Sequence, residues 1–408
     1  MTIIEFFDKS GLENLLSTLL CAPDRLILIG NSRKRMESRV PYYQRVLAAR
    51  GIHTEIVCLT VPHGNLQLIY NTLVRVVKKN EKCIFDLTGG EDLYLVAVGM
   101  LLQTHGDRVQ CHRFNLRNGS VVDCDADGNV CRSQDLAVSI EETILLNGGE
   151  VVREQNENEP ATRDWDWTPA FLQQIEDLWQ INRRDPRLWN AQINLLGRLG
   201  ECHTTPEQIE MQIDKSRLLQ LQKNGNRAAE TLPALLRELE RAELISHLST
   251  DPNITFTFPN QQVRRCLTVA GQVLEVLIAS RMVALTDQNH TPLYHDCRVG
   301  VVINWDGDGE TPVRTVNEID VFAMCGSTPI FLSCKNGDFD SEELYKLNTV
   351  AHRFGGRYAK KVLVAADLDK MGAKGEFLKA RANEMQIHII NRITKLSTEE
   401  LDRILRTL

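Results

Sequence analysis

The sequence predicts an α/β protein with a doubly wound N-terminal domain, a helical connecting region and a second, C-terminal α/β domain. Three observations predict it. Strand and helix patterns alternate from residue 26 to 105, a polar acidic run breaks the chain near residue 154, and two β-forming runs joined by a turn lie between helical segments from 314 to 335. At 408 residues the chain is longer than one hydrophobic core usually supports.

Leu26 to Gly30 is a continuous apolar run ending in glycine, as expected for a first strand buried on both faces of a parallel sheet. A helical pattern follows through Ala49 and stops at Gly51. Thr54 to Val61 reads as strand, Leu66 to Lys79 as helix, Cys83 to Leu87 as strand and Glu91 to Gln103 as helix. Three such units in series imply right-handed crossovers. Residues 109 to 131 are expected to close the sheet as antiparallel strands, with turns at Asn118-Gly119 and Asp127-Gly128. The first domain is therefore expected over 1–153, a linker and helical spacer over 154–255, and the second domain over 256–408.

The run Glu154-Gln155-Asn156-Glu157-Asn158-Glu159-Pro160 has linker composition. Beyond it, Leu232 to Leu248 carries the apolar spacing of a packed helix, either a spacer between domains or part of a winged helix. From 256 onward the patterns give a helix (Arg264 to Val283), two strands, a helix (Ser341 to Arg353) and a strand (Lys361 to Ala366).

Composition narrows the function. With 43% hydrophobic and 25% charged residues the chain is an ordinary globular protein, and the longest apolar stretch, Leu93 to Leu102, is too short to span a bilayer. A net charge of -7 argues against a nonspecific nucleic-acid coat, so any nucleic acid must meet a local basic surface or a metal. Eleven cysteines without C-x-x-C spacing, several inside apolar strands, suit reduced thiols and a cytoplasmic location. No signal peptide is visible at Met1 to Ser10.

The chemistry is concentrated in the hairpin. Arg314 to Met324 alternates, Gly326-Ser327-Thr328-Pro329 breaks the run, and Ile330 to Lys335 returns. Asp320 then falls opposite one of residues 333 to 335, with Glu318 on the same face of its strand and Ser333 beside Lys335 on the partner. An aspartate holding a divalent cation beside a lysine suits metal-assisted phosphodiester hydrolysis. Glu275, on the preceding helix, is either a helix-surface charge or, with the rest of the constellation, completes the metal site. Glu342, Glu343 and Lys346 read most simply as an exposed face paired at i, i+3 and i, i+4. His352 and Arg353 are either structural or in reach of substrate phosphate.

Two strand-to-helix corners either suit an anionic ligand or are no more than a tight turn and a solvated helix start. Asp86-Leu87-Thr88-Gly89-Gly90-Glu91 supplies glycines and free backbone N–H groups, and Gly30-Asn31-Ser32 followed by Arg33-Lys34-Arg35 supplies an amide, a hydroxyl and three cations. Both lie at carboxyl ends of strands, where open α/β sheets bind ligands. No G-x-G-x-x-G or Walker A sequence is present, and no histidine pair has zinc-site spacing.

Together these motifs resemble the CRISPR-associated Rossmann-fold (CARF) effector nucleases of type III CRISPR antiviral defence. Asp86-Leu87-Thr88-Gly89-Gly90 matches the sensor's glycine corner. Gly271-x-x-Leu274-Glu275, Glu318-x-Asp320, Ser333-Cys334-Lys335, Glu343-Leu344-Tyr345-Lys346-Leu347 and Arg353-Phe354-Gly355-Gly356 follow the nuclease pattern in order. The resemblance implies a Rossmann-like sensor fused to a restriction-endonuclease-like domain in a homodimer. Cyclic oligoadenylate, most often the tetra-adenylate, would bind Gly30, Asn31, Ser32, Thr88, Gly89, Gly90 and Glu91. It would switch on cleavage of DNA or RNA with Mn²⁺ or Mg²⁺ held by Glu275 and Asp320, Ser333 and Lys335 completing the catalytic set. One position departs from the pattern: Ser333 stands where the family has an acid, so the site loses a formal charge unless Glu275 or Glu318 supplies it. Two rival readings remain, a ligand-responsive DNA-binding regulator with an inert C-terminal domain, and a nuclease whose α/β domain only dimerises.

Overall fold

The computed structural model of the protein describes residues 1–62, 64–115, 120–123, 132–133, 136–153, 161–200, 209–305 and 316–408. The turns expected at Asn118-Gly119 and Asp127-Gly128, the polar run 154–160 and the hairpin's expected start at Arg314 lie outside these residues.

The N-terminal part runs β1 (Thr2–Phe6), α1 (Leu16–Cys21), β2 (Arg25–Gly30), α2 (Arg33–Ala49), β3 (Glu55–Thr60), α3 (Leu66–Lys79), β4 (Cys83–Asp86), α4 (Asp92–His105), β5 (Val109–Asn115), β6 (Ser120–Asp123), β7 (Arg132–Ser133), α5 (Ile140–Leu146) and β8 (Glu150–Val151). Strands β1 to β7 form one Rossmann-like sheet in the order β3-β2-β1-β4-β5-β6-β7. The first five are parallel, and β6 and β7 close it antiparallel. Leu26 and Leu28 face one core and Ile27 and Ile29 the other, which is why β2 reads as an unbroken apolar run.

One correction concerns the first strand. β2 is preceded by β1, which is buried throughout and pairs with both β2 and β4. Thr2 and Glu5 interrupt its apolar character, so a five-residue strand at the start of the chain gave too short a pattern to read. The consequence is positional: the strand order reverses between β1 and β4, and a ligand crevice forms outside the carboxyl ends of strands at such a point.

The middle of the chain contains α6 (Pro169–Asn182), α7 (Pro186–Gly200), β9 (Glu210–Ile213), α8 (Lys215–Lys223), α9 (Arg227–Arg241), β10 (Ser246–Ser249) and β11 (Ile254–Thr257). From α7 onward the order α-β-α-α-β-β, with an antiparallel sheet β10-β11-β9, is winged-helix topology. The helix expected over 232–248 is displaced. Asn226 caps α9 by accepting from Ala229 N, Pro233 is carried inside it, and Glu243 at φ +57° turns the chain into β10.

The C-terminal part runs α10 (Gln261–Thr268), α11 (Gln272–Ala284), β12 (Asp296–Asn304), β13 (Val316–Cys325), β14 (Thr328–Lys335), α12 (Glu342–Gly355), β15 (Lys360–Ala365), α13 (Ala373–Glu384), β16 (His388–Ile390) and α14 (Thr398–Leu405). The helix expected over 264–283 is two helices, broken at Gly271, whose φ of +90° suits glycine. A strand the patterns did not show, β12, pairs antiparallel with β13. The second sheet has the order β16-β15-β14-β13-β12-β8, so β8 from the N-terminal part is its edge strand. A shared core seals the two sheets: Leu28, Ile140 and Ile144 pack in one cluster with Phe322, Phe331 and Phe354. The Phe322 and Phe331 rings, paired across the hairpin, stack at 4.2 Å.

Candidate active site and ligand cleft

Gly326 at φ +59° makes the tight turn between β13 and β14, and the register Phe322–Phe331, Val321–Leu332 carries forward to bring Asp320 beside residues 333 to 335. Asp320 Oδ2 accepts from Cys334 N at 2.6 Å, Ser333 Oγ at 3.2 Å and Lys335 Nζ at 3.3 Å. Ser333, at the position where an acid was expected, thus holds the aspartate by a hydrogen bond. Glu318 lies on the same strand face, and Gly300 makes room for it. At φ +62° Gly300 sits between the Val299–Val321 and Val301–Ile319 pairs, and a Cβ there would stand 3.2 Å from Glu318 Oε1.

Glu275 projects from the first turn of α11, its Oε2 accepting from Gln272 Nε2 at 2.9 Å. Burial pushes its carboxyl well above the usual range, and the charges of Asp320 and Glu318 push it further, while Lys335 pulls the other way. Burial and then Asp320 likewise raise Glu318. Burial opposes the charge on Lys335, but Asp320 and Glu343 outweigh it and hold the ammonium above the ordinary lysine range. Glu275, Asp320, Ser333 and Lys335 therefore share one electrostatic neighbourhood.

Sequence reasoning missed one member. Glu343 does pair with Lys346 at 3.1 Å on the face of α12, but its other oxygen reaches Lys335 Nζ at 2.9 Å. A helix-surface pair and one that also reaches into this cluster look alike in sequence. Only the packing of α12 on β14 separates them.

Among the described residues no group of three or more His, Cys, Asp or Glu side chains stands ready to enclose a metal ion. The donors present nevertheless fit a hard divalent cation. Burial and neighbouring carboxylates raise the proton affinity of Glu275 and Glu318, carboxylate oxygens are the ligands such an ion takes, and a cation would relieve the repulsion.

In the N-terminal sheet the two expected corners meet. Asn31 Nδ2 donates to Glu91 Oε1 at 3.4 Å, and Ser32 caps α2 by accepting from Arg35 N. Thr88 is buried and serves the corner itself: its N–H donates to Asp86 Oδ1 at 2.6 Å, and its hydroxyl accepts from Phe114 N at 2.7 Å. The glycines are set by the end of β1. A Cβ on Gly90, at φ +105°, would lie 2.7 Å from Phe6 Cβ, one on Gly89 3.4 Å from Asp8 Cβ, and one on Gly30 3.1 Å from Phe7 Cβ. Beneath them Glu5 and Asp86 are neighbours across β1 and β4. Burial first, then Asp86, pushes the Glu5 carboxyl well above its usual range. Burial opposes ionisation of Asp86, yet His112, Ser17 and Thr88 bring it below the usual range.

Asn31 and Glu91 open onto a cleft of about 800 Å³. The loop after β1 contributes Asp8, Lys9 and Ser10, α2 contributes Arg35 and Arg39, and the far wall is His352, Arg353 and Gly356 at the end of α12.

No family model matches this sequence, and no curated protein is similar enough in sequence to be matched. Solved structures do share its architecture. Protein VC1899 from Vibrio cholerae superposes with a TM-score of 0.72 at 18% identity, covering 100% of this chain and 96% of the other. Can2 from Sulfobacillus thermosulfidooxidans, solved in complex with cyclic tetra-adenylate, gives 0.66 at 15% identity over 99% and 97%. The likeness is one of fold, and it runs through both sheets and the helical region between them.

Proposed function

We propose that this protein is a cyclic oligoadenylate-activated, metal-dependent nuclease of the type III CRISPR effector class, with residues 1–153 as sensor and 256–408 as nuclease. The observation that carries the reading is the convergence on Asp320 of Ser333, Cys334 N–H and Lys335, with Glu275 inside the same electrostatic field. Mg²⁺ or Mn²⁺ on Glu275 and Asp320 would polarise the phosphate and acidify a water. Ser333 and Cys334 N–H fix Asp320, Gln272 holds Glu275, and Lys335, kept charged by Asp320 and Glu343, would face the developing negative charge.

The activator reading draws on the full-length fold match to a protein solved with cyclic tetra-adenylate, together with the paired corners at Asn31 and Glu91. Gly30, Ser32, Gly89 and Gly90 would offer backbone to the ligand, and Thr88 would hold the loop in shape. A homodimer is supported by an apolar stripe on α4, directly after the glycine corner: Leu93, Val96 and Met100 are 36%, 50% and 36% exposed. A symmetric cyclic ligand on the two-fold axis would be read twice by the same residues. The test is incubation with plasmid, single-stranded DNA and RNA in Mn²⁺, with and without cyclic tetra-adenylate.

The winged-helix topology favours a second reading, a DNA-binding regulator. Its helix α9 exposes Arg227, Arg237 and Arg241 among Glu230 and Glu240, a mixed surface rather than a cationic one. A mobility shift on duplex DNA with metal chelated, and no cleavage when metal is restored, would favour the regulator.

A further inference from the structure

The cleft beside the glycine corners is not walled by the N-terminal sheet alone. Its far side is the last turn of α12, a helix of the second sheet, which presents His352, exposed, and Arg353, partly exposed, across from Asn31 and Arg35. The Arg353 guanidinium lies over the Phe354 ring at 5.7 Å, which holds its stem beside the cleft. Carboxylates are present too: Asp8, Glu13 and Glu91 line the cleft with the cations Lys9, Arg35, Arg39 and Arg353. The cationic excess is small, so a ligand must be placed to meet the cations specifically.

That end of α12 is seated on the loop that follows β1. Gly11 N donates to Asn147 Oδ1 at 3.0 Å, and Asn147 Nδ2 donates to Phe354 O at 2.9 Å, so one side chain ties the loop to the helix terminus. Gly356, at φ +66°, approaches so closely that a Cβ would lie 2.8 Å from Ser10 Oγ. The same loop backs the glycine corner through Asp8 and Gly89. At its other end α12 carries Glu343, 2.9 Å from Lys335 Nζ. One rigid helix therefore spans from the cleft to the catalytic lysine.

Resting on the proposed nuclease reading, we infer that His352 and Arg353 form part of the activator site, contacting phosphate of the anionic nucleotide. Ligand in the cleft then sets the position of α12 and, through Glu343, of Lys335. Charge-assisted hydrogen bonds from a guanidinium to phosphate give the contact its strength. A ligand that binds one placement of α12 better than another shifts the equilibrium by that difference. The helix, not a chain of side chains, is the transmitting body.

The experiment is calorimetric titration of the full-length protein with cyclic tetra-adenylate, for wild type and for a His352→Ala/Arg353→Gln double variant. Glutamine keeps the aliphatic stem over Phe354. Affinity is expected to fall about tenfold or more, the loss typical of a charge-assisted hydrogen bond. With activator raised to saturation, plasmid cleavage by the double variant is expected to stay at least about fivefold below wild type. Wild-type affinity in the variant, or full cleavage at saturation, overturns the inference while leaving the nuclease reading intact. A wild-type protein that takes up no cyclic tetra-adenylate removes the activator reading, and this inference with it.

Discussion

Glu343 reaches from the first turn of α12 to within 2.9 Å of the Lys335 ammonium, which also lies 3.3 Å from Asp320. The lysine is thus clamped between a carboxylate of its own hairpin and one from a helix that packs over it. Glu343→Gln is expected to lower cleavage about tenfold, because a freed ammonium loses its placement. The pair is partly exposed, with side chains 20% and 30% accessible, so the thermal stability change should be small, below about 1 kcal/mol. A large melting shift with unchanged cleavage would show Glu343 to be structural.

Asp320 and Lys335 are predicted to be separable from ligand binding. Asp320→Ala leaves Cys334 N–H and Lys335 without their shared acceptor, at a cost of about 1–3 kcal/mol. Both Asp320→Ala and Lys335→Ala should abolish cleavage while calorimetry returns the wild-type affinity for cyclic tetra-adenylate. Residual cleavage at the wild-type rate in either variant would dismiss the catalytic assignment.

Gly300→Ala tests the crowding of the site. At φ +62° an alanine costs about 1–2 kcal/mol, and its Cβ would press on Glu318 Oε1 from 3.2 Å. Denaturant titration should show that loss, and cleavage should fall with it. An unchanged midpoint would mean that β12 does not hold Glu318 in this way.

Glu5 gives the protein a pH signature. Its folded carboxyl keeps its proton well above the ordinary glutamate value near 4.5, and its Oε1 is buried without a hydrogen-bond partner. As pH rises past that value the unfolded state loses the proton first, so this group's contribution falls from there up to the raised folded value. Glu5→Gln mimics the protonated form and removes the slope. The variant should gain stability over wild type as pH increases above about 4.5. Parallel stability curves across pH 4 to 8 would contradict this.

The exposed stripe on α4 predicts assembly. Val96→Asp with Met100→Asp should yield a monomer by sedimentation and lose activation, because paired glycine corners would no longer face one another. A wild-type monomer with full activation would remove the dimer from the mechanism.

Much of this arrangement was legible in the sequence where pattern and packing coincide. β2, β3 and β4 carry continuous or alternating apolar runs, and Gly326 marks the hairpin turn that brings Asp320 to Lys335. What stayed hidden depends on tertiary neighbours. β1 is short and contains Glu5, a buried carboxyl beside Asp86 that breaks its apolar pattern. Glu343 reads as a surface pair until α12 is laid on β14. The winged-helix strands are four residues each, too weak a signal beside the amphipathic α9.

The most direct measurement is one gel of plasmid, single-stranded DNA and RNA incubated with purified wild-type protein and with Asp320→Ala, in Mn²⁺, with and without cyclic tetra-adenylate. Cleavage of at least one substrate by wild type only when the activator is present, its loss when EDTA replaces Mn²⁺, and none by Asp320→Ala, is the predicted result. No cleavage of any substrate under full activation, or equal cleavage by Asp320→Ala, would contradict the account.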